Sequence, residues 1–154
     1  MARGYIYEIS DDLDQFPLGL KESEFYEYIN HEFNYVETLR PDVWYKDSMA
    51  KEVFAQTGFR VTETGTDEAP CLKLEPEPDR MADHWRNRLQ RAKKILEDMS
   101  SEDFRRSVET LQEAVDDTYG DMVCIDGSLI TLDRFLRNAE EGRVYYLGGV
   151  FLAH

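Results

Sequence analysis

The alternation of apolar and polar positions is clearest at the start of the chain. From Arg3 to Ile9, Tyr5, Tyr7 and Ile9 alternate with Ile6 and Glu8, the two-residue period of a strand built from β-favouring side chains. Asp11, Asp12, Leu13 and Asp14, followed by Pro17 and Gly19, end that pattern in a polar loop. Phe25, Ile29 and Phe33 then recur every fourth residue, which predicts a helix over Glu22–Phe33. Pro41 interrupts the chain, and a second helix fits Asp47–Thr57, with Met49, Val53 and Phe54 as its apolar stripe and Gly58 as its stop. Phe59–Thr64 and Cys71–Leu74 read as two strands joined across Gly65–Glu68, and Glu75–Pro78 as a stiff acidic spacer.

The longest helical signal covers Asp79–Met99, where Met81, Trp85, Leu89, Ala92, Leu96 and Met99 recur at intervals of three and four. Ser100 or Ser101 is placed to cap a further helix carrying Phe104, Val108, Leu111 and Val115, so residues 79–119 predict a long helical hairpin. Met122–Ile125 and Ser128–Thr131 flank Asp126-Gly127, a dipeptide that readily adopts the positive φ angles of a two-residue turn. Thr131 begins a short helix to Ala139, and Arg143–Leu152 returns as a last strand with a bulge or bend at Gly148-Gly149. The expected fold is therefore a single α+β domain of 154 residues, with a mainly antiparallel sheet and about five helices.

Composition sharpens this picture through charge. Residues 1–79 carry 18 acids and 7 bases, residues 80–106 carry 5 and 8, and residues 107–154 carry 9 and 3. The total of −14 opposes binding to nucleic acid phosphates and favours encounter with a basic surface. No apolar run approaches the ~20 residues of a membrane span. With no signal-peptide pattern at the start and only Cys71 and Cys124, the cytoplasm is the expected compartment. Both cysteines fall in apolar strand patterns, as inert core thiols do, and a disulfide between them stays open.

The phosphate-loop, dinucleotide, nucleophile-elbow and zinc-ligand signatures are all absent, so neither a cofactor nor a metal is expected. Asp116, Asp117, Asp121 and Asp126 cluster near Gly120, but without the spacing of a calcium loop they read as a solvated turn. His31 and His84 are the candidate bases of an enzyme, each needing a carboxylate brought from elsewhere in the fold. The bases of residues 80–106 allow a nucleic-acid reading; interspersed acids instead favour a solvated helix, or contacts with acidic surface within the fold or across a homodimer.

Twelve of the nineteen aromatic residues fall within residues 1–59, among the densest acids. Aromatic side chains rimmed by carboxylates suit a surface that docks a cationic partner. Glu22, Glu24, Tyr26, Tyr28, Trp44 and Tyr45 are the expected contacts of such a face. In charge character this is similar to small inhibitors of nucleases, of the immunity, anti-restriction or anti-CRISPR type. A non-catalytic protein binding a basic protein partner is therefore the leading expectation.

Overall fold

Alternate residues of the first strand serve two different cores. In β1 (Gly4–Ser10), Tyr7 and Ile9 join the larger buried cluster, with Tyr5 packed against it, while Ile6, between Tyr5 and Tyr7, belongs to a smaller one. This is the geometry of a central strand, whose successive side chains point to opposite faces. The computed structural model describes residues 4–12, 20–27, 33–47, 49–66, 68–106, 109, 112 and 121–154.

The other strands are β2 (Val36–Thr38), β3 (Phe59–Glu63), β4 (Leu72–Pro76), β5 (Met122–Ile125), β6 (Ser128–Thr131) and β7 (Tyr145–Ala153). They form one seven-stranded sheet in the order β3-β4-β7-β1-β5-β6, with β2 paired to β7 off this path. All pairings are antiparallel except that of β1 with β5, so the fold is α+β with a mixed, mostly antiparallel sheet. The helices of the described residues are α1 (Met49–Gln56), α2 (Pro78–Asp98), α3 (Ser101–Arg106) and α4 (Leu132–Asn138).

β7 carries the most pairing. One side meets β1 along its length, while the other meets β4 over Tyr145–Leu147 and β2 over Phe151–Ala153. The register shifts where Glu8 faces Gly149 and Ile9 faces Leu147, which leaves Gly148 as the extra residue of a bulge. The bulge resets the two-residue period, so that Leu147 and Val150 both enter the larger core although three residues apart. The expected irregularity at Gly148-Gly149 is thus present.

The larger core is dominated by interlocked rings. Phe54 of α1 meets Tyr7 edge-on at 5.1 Å and Phe59 at 5.8 Å, while Phe135 of α4 stacks on Phe59 at 6.0 Å. Such offset and perpendicular arrangements follow from the ring quadrupole. The smaller core, on the other face, gathers Ile6, Phe25, Phe33, Val36 and Phe151.

Local signals account for most element ends. Asp126 and Gly127 take φ angles of 52° and 75°, closing β5 onto β6 in the expected turn. Thr131 Oγ1 accepts a hydrogen bond from Arg134 N at 3.1 Å and caps α4. Ser100 Oγ accepts from Asp103 N, and Asp103 Oδ2 accepts from Ser100 N, a reciprocal cap at the start of α3.

Two expectations are corrected, and two elements are additional to those expected. Glu22–Phe25 forms a single 3-10 turn, and Phe33 lies in a β-bridge, so the helix expected over Glu22–Phe33 does not reach its end. Residues 39–47 hold a wide turn at Asp42–Lys46 after Pro41. Glu75 and Pro76 complete β4, and Pro78 occupies the first helical position of α2, so no spacer separates them. β2 is too short to have announced itself. The second arm of the hairpin expected to residue 119 lies outside the described residues.

Candidate functional site

The residues expected to form an aromatic, acidic face divide between inside and outside. Trp44 and Tyr45 are 2% and 5% exposed and pack against each other at 5.6 Å. They belong to the larger core and cannot meet a partner on the surface. The turn after Pro41 directs both rings inward, where each removes far more apolar area from water than an acidic loop could cover. Tyr28 and His31 lie outside the described residues.

Glu22, Glu24 and Tyr26 do share a corner of the molecule. The Glu22 carboxylate accepts hydrogen bonds from Thr38 N and Thr38 Oγ1, tying the 3-10 turn to β2. The bond from the Thr38 hydroxyl is the chief cause of a Glu22 carboxyl pKa below the ordinary value. Phe25 anchors the turn beneath, edge-on to Phe151 at 4.8 Å. Above this anchor Tyr26 is 64% exposed, and Glu24 and Glu27 are exposed beside it. Tyr35, just before β2, is 51% exposed and leans on His154 with its ring perpendicular at 5.2 Å. Exposed Glu37 follows on β2. Composition pointed to such a face; Tyr35, Glu27 and Glu37 were missed because burial of neighbouring rings is not a local signal.

A second site has a different character. One face of α2, read at helical spacing, carries Arg80, Asp83, His84, Asn87, Arg88 and Arg91. These side chains line an open cleft of about 500 Å³. Across it lie Val53, Gln56 and Thr57 from α1 and its C-terminal end, together with Asp121 and Leu132. Thr57 Oγ1 donates to Val53 O at 3.0 Å, which secures that end of α1. Asp121 precedes β5: its Oδ1 accepts from Tyr5 N at 2.9 Å and its carbonyl from Leu132 N at 3.0 Å. It therefore joins β1, β5 and the start of α4. Near it the Tyr7 hydroxyl is buried; burial first, then the charges of Asp121 and Tyr5, push its ionisation far above the normal range.

Below the cleft, α2 is fastened by charge. Arg88 is 3% exposed and donates to Asp133 Oδ1 at 2.6 Å, while Arg137 Nε donates to Asp133 Oδ2 at 2.7 Å. Burial opposes ionisation of Asp133, but the hydrogen bonds from Arg137 and Arg88 outweigh it and hold the carboxyl below its ordinary pKa. The Trp85 ring centre lies 4.7 Å from the guanidinium of Arg88 and 4.8 Å from that of Arg137. Other bases of residues 80–106 also pair within the fold: Arg80 with Glu77, Arg86 with Asp83, and Arg105 and Arg106 with Glu102. Contacts of these bases with acids of the fold were one of the sequence expectations. Their inward face was not, because the apolar stripe implied that Leu89 and Leu96 would be buried; they are 55% and 48% exposed.

Cys71 and Cys124 are both free, and burial pushes both thiols above their ordinary pKa, which makes them poor nucleophiles. Among the described residues no group of three or more His, Cys, Asp or Glu side chains could hold a metal ion. No helix among them is long and apolar enough to cross a membrane. Compared with protein-family models, curated proteins and solved structures, the chain matches none. The geometry alone carries the functional reading.

Proposed function

We propose that this is a non-catalytic interaction protein whose acidic, aromatic corner docks a basic protein, of the kind that nuclease inhibitors engage. The observation behind the reading is that Glu24, Tyr26 and Glu27 on the turn, and Tyr35 and Glu37 at the start of β2, are all exposed on two segments tied together by Glu22 and Thr38. Clamping lowers the ordering cost of binding. The carboxylates speed encounter with a cationic surface, and the two tyrosines supply contact area. Tyr26 thus stays in the contact set, and Tyr35 takes the place of Trp44 and Tyr45. Affinity capture from lysate at low and high salt tests it, with a Tyr26→Ala/Tyr35→Ala variant alongside. Basic proteins should be held at low salt by the parent chain and lost by the variant; equal recovery by both would remove the reading.

A second reading is a small hydrolase working through His84, favoured by the cleft that brings this residue together with Asp83 and Asp121. Screening ester and phosphoester substrates against the parent and His84→Ala separates the two, since an interaction protein turns over neither.

A further inference from the structure

Trp85, Leu89, Ala92 and Leu96 recur along α2 at intervals of four, three and four, which sets them in one stripe down the helix. A stripe of this kind ordinarily lies against a core. Here Leu89 and Leu96 stand in solvent, Trp85 and Ala92 are half-buried, and the buried residue of the helix is Arg88. The stripe also has relief. A depression of about 200 Å³ is lined by Trp85, Leu89 and Ala92 together with Arg88 and Arg137. Between the two leucines, Ala92 is the small residue that leaves room for a side chain from outside.

The row beside the stripe narrows what covers it. Arg86, Gln90, Lys93 and Glu97 each follow a stripe residue by one position, so they line one flank, and all four are exposed. Two antiparallel helices related by a twofold axis turn the same flank toward each other. Read in reverse, this row complements itself: Arg86 comes beside Glu97 of a second copy, and Gln90 beside its Lys93. The stripe reverses with it, setting Trp85 opposite Leu96 and Leu89 opposite Ala92, a large side chain against a smaller one each time.

The charge of the whole chain favours the same meeting place. Two copies at −14 repel each other, and they do so least along residues 80–106, where 8 bases face 5 acids in the sequence. Arg86 is bridged to Asp83 of its own helix at 2.8 Å, with both side chains exposed. An exposed bridge of that kind is worth little, so turning Arg86 toward a second carboxylate costs little.

From this self-complementary face we propose that α2 docks a second copy of the chain, antiparallel about a twofold axis, with Leu96 of each copy seated in the depression of the other. From Trp85 to Leu96 the stripe runs about 17 Å, a contact at the small end of specific interfaces, so the dimer forms as concentration rises. The acidic corner takes no part in it, and failure of either assignment leaves the other standing.

Sedimentation velocity of the full chain, from micromolar to millimolar concentration, tests the proposal. The parent should pass from the mass of one chain to that of two. Leu89→Glu and Leu96→Glu, changes at exposed positions, should each weaken association at least about tenfold while leaving the circular dichroism spectrum unchanged. Glu97→Arg should weaken it about tenfold by bringing like charges together at both ends, and combining it with Arg86→Glu should restore the parent's dimer. A parent that stays monomeric throughout would overturn the proposal, as would a dimer that both leucine changes leave intact. Failure of the double exchange to restore association would overturn the antiparallel arrangement. A monomeric parent that pellets with phosphatidylserine vesicles would assign the stripe to a lipid surface instead.

Discussion

α4 and α2 are buried against the same molecule by opposite means. α4 presents Leu132, Phe135 and Leu136 to a dry lattice of rings, in which Phe135 meets Phe59, Phe54 and Tyr145. α2, three times as long at 21 residues against 7, has Arg88 as its buried residue, and that guanidinium pairs with the Asp133 carboxylate. Apolar burial is non-directional and tolerates small displacements, whereas a buried ion pair is stable only in one geometry. The difference teaches that the ring lattice carries the stability of the fold, while the ionic contact fixes where the long helix, and hence the cleft, is held.

Removing a ring from the lattice gives the largest expected effect. Phe54→Ala should cost about 4 kcal/mol in chemical denaturation, the range for deleting a buried aromatic. A cost below about 1 kcal/mol would break the comparison.

Breaking the ionic contact comes next. Asp133→Asn should cost about 3 kcal/mol near neutral pH, because it leaves Arg88 buried without its carboxylate. The contribution also has a definite pH dependence. The folded carboxyl is depressed, so its stabilisation is fully present above the unfolded value of about 3.9 and is lost as pH falls further through the folded pKa. Denaturation profiles of the parent should fall through that acid window, and the Asp133→Asn profile should lack this component. Replacing both partners, Arg88→Met with Asp133→Leu, should restore most of the lost stability, since an apolar pair carries no desolvation cost. Failure of that rescue would mean that the position of α2 needs the charges themselves.

A smaller effect is expected where the two regions meet. Gly58 adopts φ +116°, and a Cβ there would approach Met81 Cα of α2 to 2.9 Å. Gly58→Ala should cost about 2 kcal/mol from backbone strain and this contact. The smallest change is Thr131→Ala, which removes the α4 cap for about 1 kcal/mol by thermal or chemical melting.

How much of this was legible in the chain depended on range. The Asp126-Gly127 hairpin, the Thr131 cap and the bulge after Leu147 were readable, because a turn, a cap or a glycine pair acts within a few residues. The extent of α2 was readable from its repeat. Its inward face was not, since the contact that decides it joins Arg88 to a residue 45 positions away. Trp44 and Tyr45 failed as surface residues for the same reason: composition counts rings but does not say which side of a turn they take. Of the cleft, His84 and Asp121 had drawn notice singly, yet α1 and the start of α4 had to be folded against α2 before they shared a space.

The position of β7 has a consequence for how the chain is made. β7, which joins β4 to β1 and holds β2, follows every other strand of the sheet in the chain, so β3-β4 and β1-β5-β6 cannot be joined into one sheet until it has been made. Nascent chains halted before residue 145 would present two raw sheet margins, a state that invites chaperone capture and makes late stalling costly for the cell.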